Sequence, residues 1–89
     1  MLVLPSALTQ TSASACLSEL GSALAAEPAQ VLVDAGALGQ FDSAALAVLL
    51  ALRRQALALN KSFAITGLPE RLAKLARLYG IAELLPEQA

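Results

Sequence analysis

Apolar positions along this chain follow two rhythms, and the changes between them mark its elements. Leu2, Val3 and Leu4 make a short strand signal that Pro5 closes. From about Thr11 to Ala26, Ala13, Cys16, Leu17, Leu20 and Leu24 recur at intervals of three and four, which predicts one face of a helix ended by Glu27-Pro28. Val31 to Asp34 then reads as a buried strand, and Asp34 to Gln40 supplies two glycines to turn the chain. A second helix is predicted from about Ser43 to Leu59. Asn60-Lys61 turns the chain into a strand over Phe63 to Thr66, before Gly67. Pro69 belongs in the first turn of a third helix whose core face is Leu72, Leu75, Ala76 and Tyr79. Gly80 reads as its left-handed C-cap, with Ile81 folding back on the last turn, and a short tail of Ala82 to Leu85 ends at Pro86.

Strand and helix alternate throughout. That order predicts an α/β fold with a short mixed or parallel β-sheet, right-handed crossovers and about three α-helices, placed on one face or split between two. At 89 residues the chain reads as a single domain spanning 1–89, without repeats or low-complexity segments.

The second helix carries more apolar surface than one sheet can cover. On a helical wheel Leu46, Leu50 and Leu57 form one stripe, and Val48, Leu52 and Leu59 form another roughly 180° away. Either a neighbouring helix covers the second stripe or it is a docking surface. Ala44, Ala47 and Ala51 add a smooth strip where another backbone can approach closely, and Val48 borders it. The strip begins at Asp42-Ser43, the strand-to-helix junction. There the Ser43 hydroxyl is placed to accept a hydrogen bond from a first-turn amide, with Asp42 adding negative charge at the positive end of the helix dipole. Capping accounts for the pair by itself; the alternative is that Ser43 registers or switches a docking face.

Composition sharpens that alternative. The chain is 57% hydrophobic with a mean hydropathy of +0.66, and Leu and Ala supply 20 residues each, which predicts that some apolar surface meets a partner. The longest apolar run, Ala44 to Leu52, is nine residues and stops at Arg53-Arg54, whereas a spanning helix needs about 20. No direct membrane span is expected. The N-terminus lacks the basic region of a secretory signal, and the single cysteine fits a reducing compartment, so a cytoplasmic location is predicted. Cys16 itself reads as a small core residue. A net charge of −1 with scattered Phe41, Phe63 and Tyr79 argues against nucleic acid as partner. With no histidine and dispersed carboxylates, no metal and no cofactor are expected.

Arg71, Lys74 and Arg77 recur every third residue on the third helix, either as a solvated face or as a contact for an acidic partner or phosphate. No phosphate loop accompanies them. Ser43 has no histidine to activate it, and no catalytic residues are identified, so the chain is expected not to be an enzyme.

Several of these segments together resemble a STAS domain, and within that family the MlaB-type subunit of the bacterial Mla phospholipid ABC transporter. They are Val31-Leu32-Val33-Asp34, Phe41-Asp42-Ser43, Ala44 through Leu50, Phe63-Ala64-Ile65-Thr66-Gly67, and Leu75 through Gly80. The resemblance runs from about Val31 to Leu85 and is looser over the first 26 residues. It implies a non-enzymatic cytoplasmic subunit at the inner-membrane face that binds the transporter's ATPase subunit and supports its assembly and activity, in the service of outer-membrane lipid asymmetry. The partner-binding residues would be Asp42, Ser43, Ala44, Ala47, Val48 and Ala51, with Arg71 and Lys74 at the rim. Ser43 falls at the position that is phosphorylated in anti-sigma-factor antagonists. That makes an antagonist switched by an anti-sigma kinase at Ser43 the alternative function. Two departures stand out: Ala44-Ala45 replaces a small, often glycine-containing pair, and only one strand is expected before the first helix. A missing N-terminal edge strand would leave an open sheet edge for self-association as a homodimer.

Overall fold

The computed structural model describes residues 1–88. Its elements are β1 (Leu2–Val3), β2 (Ala7–Leu8), α1 (Ala13–Ala23), β3 (Gln30–Asp34), β4 (Gln40–Phe41), α2 (Ala44–Ala58), β5 (Ser62–Thr66) and α3 (Glu70–Leu78), with 3₁₀ turns over Leu24–Ala26 and Ala82–Leu84. Every strand pair is parallel, so the expected α/β fold with about three helices is observed in its parallel form. The main sheet has the order β1-β3-β5, with Leu2 opposite Val33 and Val33 opposite Ile65.

That register explains the core. Side chains alternate across a strand, so Leu2, Leu4, Val31, Val33, Phe63 and Ile65 share one face, and all six are buried. Val3, on the opposite face, is exposed. β5 is buried along Phe63-Ala64-Ile65, and its outer edge pairs with the C-terminal residues: Ile65 donates its amide to Pro86 O at 2.8 Å, and Gln88 donates to Ile65 O at 2.7 Å.

α1 and α2 pack against each other, which resolves the double stripe of α2. Ala45, Leu46, Val48, Leu49, Leu52 and Ala56 are all buried, so both stripes enter the core over most of their length; only Leu57 and Leu59, in the last turn, stand exposed. α1 contributes Ala13, Cys16, Leu17 and Leu20 to the packing without burying any of them fully. At the end of α1, the Lys61 Nζ donates to the carbonyls of Leu24, Ala25 and Glu27, tying the turn before β5 to the end of the helix.

Two helices end in the same way. Asn60 at φ 60° and Gly80 at φ 72° are left-handed; Lys61 N bonds Ala56 O at 2.9 Å, and Ile81 N bonds Ala76 O at 3.0 Å. The stop predicted at Gly80 and the return of Ile81 are thus observed. Tyr79 is a correction: it is 55% exposed, because as the last residue before the left-handed turn it lies beyond the buried stripe of Leu72, Ala73 and Ala76. A further correction concerns the N-terminus, where two strands precede α1 instead of one. β2 pairs with β4 as a separate two-stranded sheet, Ala7 opposite Gln40 and Leu8 opposite Phe41.

Candidate functional site

The β2-β4 pair builds the site. By aligning Leu8 with Phe41 it brings the loop after β2 beside the junction that precedes α2. The Asp42 carboxylate then serves both sides: Oδ1 accepts from Ala44 N at 2.8 Å, and Oδ2 accepts from Gln10 N at 3.0 Å. The first bond caps α2 with a negative group at its positive end. Ser43 already has helical dihedrals, φ −63° and ψ −16°, and makes no capping hydrogen bond with its side chain. The cap expected from Ser43 is therefore supplied by Asp42, one residue earlier. Ser43 stays exposed, its hydroxyl unused by the helix start.

Gln10, Asp42, Ser43, Ala44 and Ala47 line a shallow depression of about 410 Å³. Ala47 is exposed, whereas Ala44 and Ala51 are half-buried, with Ala51 one turn beyond Ala47 along α2. Val48 does not belong to this strip. At 2% exposure it lies in the core, because the face of α2 that carries it is the one turned into the packed interior. A second cleft of about 410 Å³ lies between β1 and α1, lined in part by Val3, Pro5, Cys16, Glu19 and Leu20. Its one carboxylate and one thiol offer little chemistry: burial, then the Glu19 charge, pushes the Cys16 thiol up from its ordinary value, so it stays protonated and weakly nucleophilic at neutral pH.

Among the predicted basic residues, the structure brings Arg71 to the junction. Its guanidinium carbon sits 5.3 Å from the centre of the Phe41 ring, next to Asp42 in sequence. Arg77 pairs instead with Glu70 on its own helix at 3.3 Å, both ends exposed. Lys74 is exposed between them. Gln10 is the site residue that sequence reasoning missed; no periodicity joins it to position 42, and only the β2-β4 register does. Among the described residues no group of three or more His, Cys, Asp or Glu side chains is placed to hold a metal ion, and no helix is long and apolar enough to cross a membrane.

The comparisons with known proteins agree on the fold. A family model described as "Mlab, STAS domain" matches residues 1–86. A solved structure of an anti-sigma-factor antagonist (STAS) domain protein from Planctomyces limnophilus superimposes with a TM-score of 0.79 at 18% identity, covering 96% of this chain and 77% of that one. No curated protein matches the chain.

Proposed function

The chain belongs to the MlaB-type STAS domain family, and from that premise we propose that it is a non-enzymatic accessory subunit of a phospholipid-transporting ABC complex. It binds the ATPase subunit in the cytoplasm, at the inner-membrane face, and supports assembly and activity of the complex. One observation carries this reading. In its first three turns α2 buries Leu46, Val48, Leu49 and Leu52 yet leaves Ala47 exposed between the half-buried Ala44 and Ala51, beside an exposed Ser43 whose hydroxyl is free of the helix cap. Small side chains let a partner's backbone come close, and an unused hydroxyl offers it one polar anchor. Arg71, over the Phe41 ring, lies toward the rim, where charge steers approach more than it sets affinity.

A second reading, an anti-sigma-factor antagonist phosphorylated at Ser43, is favoured by the same exposed hydroxyl. Phosphate there would bring about −1.5 to −2 of charge to the edge of the strip. Tagged protein purified from its native host at natural abundance separates the two. The accessory-subunit reading expects an ABC ATPase and permease with the wild type and their loss in Ser43→Glu. Recovery of a sigma-regulatory kinase that phosphorylates Ser43 would replace it with the second. The exposed outer edge of β1 keeps self-association as a third outcome, which light scattering over a concentration series decides.

A further inference from the structure

The main sheet ends at β1, where one residue has main-chain groups to offer. Leu4 N donates to Asp34 O at 2.9 Å, and alternate residues of a strand bond the same parallel neighbour. Leu2 and Leu4 therefore serve β3, while the N–H and C=O of Val3 point to the open side. α1 stands beside that edge. None of its residues is fully buried, and the cleft of about 410 Å³ between it and β1 presents Pro5, Cys16 and Leu20 as an apolar bed next to Val3. An unpaired strand edge flanked by a half-covered helix face is the geometry that receives an added strand.

Charge decides what kind of strand. Arg53 is the first basic residue of the chain, whereas Glu19, Glu27, Asp34 and Asp42 all precede it. Glu27 faces the Met1 amino group at 2.8 Å, Asp34 accepts from Gly36 N, and Asp42 accepts from Gln10 N and Ala44 N. Glu19 alone of the four has no hydrogen bond or ion pair among the described residues, and it is the one charged side chain that lines the cleft.

We propose that the β1-α1 cleft binds an extended segment of a partner protein as an added strand beside β1, with an apolar side chain over Cys16 and Leu20 and a Lys or Arg two residues away against Glu19. Same-face residues of a strand lie about 6.7 Å apart, and Cys16 and Glu19 about 4.5 Å apart along α1, a difference that the length of a basic side chain covers. A second copy of the chain fits less well. Pairing about a two-fold axis brings the same patch from both sides, hence two Glu19 carboxylates and no cation, and Pro5 has no N–H to extend the ladder. The cleft shares no lining residue with the depression at Asp42-Ser43, so this proposal stands apart from the transporter reading.

The test selects random seven-residue peptides, displayed on phage, on the purified chain and resynthesises the enriched sequence with a fluorescent label for titration. The expected sequence pairs an apolar residue with Lys or Arg two positions away. Glu19→Gln should weaken its binding about threefold and Glu19→Lys about tenfold, both less so at high salt; Glu19 is on the exposed side of α1, so both variants keep the fold. Val3→Pro removes an N–H that no strand of this chain uses and should abolish binding. In the wild type, whatever the variants do, the Val3 amide followed by NMR should exchange with solvent about tenfold more slowly once the peptide is bound, the usual scale for one main-chain bond. Enriched peptides without a basic residue, equal binding to Glu19→Lys, or an unprotected Val3 amide would overturn the proposal. So would a failure to enrich any sequence, or a dimer in sedimentation that itself protects the Val3 amide, which would assign the cleft to a second copy.

Discussion

Val48 and Ala47 are neighbours in sequence that the structure assigns to opposite duties, so one pair of substitutions tests the boundary between core and surface. Val48 is 2% exposed and belongs to the main hydrophobic cluster. Val48→Ala removes two carbons, at about 0.8 kcal/mol for each buried methylene equivalent, and leaves a small cavity whose lining cannot fully collapse. The expected loss is about 2 kcal/mol. In a domain of this size that lowers the melting temperature by roughly 10 °C. Ala47 faces solvent on the next position of the helix, where glutamate is a good helix former near a positive helix end. Ala47→Glu should therefore stay within about 0.5 kcal/mol of wild type while abolishing recovery of the ATPase partner. Urea unfolding at fixed temperature, with the slope compared between variants, measures both. A destabilisation of Ala47→Glu equal to that of Val48→Ala would refute the assignment, since it would put Ala47 in the core too. So would a Val48→Ala protein as stable as wild type.

Three further outcomes follow from other parts of the structure. Lys61→Met removes the ammonium that serves three carbonyls at the end of α1; part of that loss is made good by water at a half-exposed position, leaving about 2 kcal/mol in chemical denaturation. Gly67→Ala should cost about 2 kcal/mol or more by the same assay, because Gly67 sits at φ 71° and an added Cβ meets the Gly36 backbone at 3.0 Å. For Cys16, alkylation followed against pH should show a midpoint higher than that of a free thiol such as glutathione under the same conditions, since burial and then the Glu19 charge disfavour the thiolate; rapid modification at pH 7 would contradict this.

The parts of this fold that were legible in the sequence are those whose periodicity reports burial directly. β3, α2, β5 and α3 each present several residues of one rhythm, and the left-handed stop at Gly80 needs a residue without a Cβ. The β2-β4 pair was not legible. Two residues per strand cannot establish an alternation, and the pairing is set by tertiary closure instead. The junction was legible as a place but not in its wiring. Asp42 and Ser43 can both cap a helix; the choice falls to Asp42 because Ser43 already adopts helical dihedrals. A wheel drawn for α2 gave two candidate outer faces because it could not include α1; with α1 packed against α2, the exposed positions are Ala47 near its start and Arg54, Gln55, Leu57 and Ala58 toward its end.

The most direct test of the account is a photo-reactive residue at Ala47, irradiated in the native host, with one at Ala25 on the turn after α1 as the control. The account predicts a single strong adduct from position 47 with the ATPase subunit of an ABC transporter and none from position 25. An adduct at 47 with a sigma-regulatory kinase, with a second copy of this chain, or with nothing at all would contradict it.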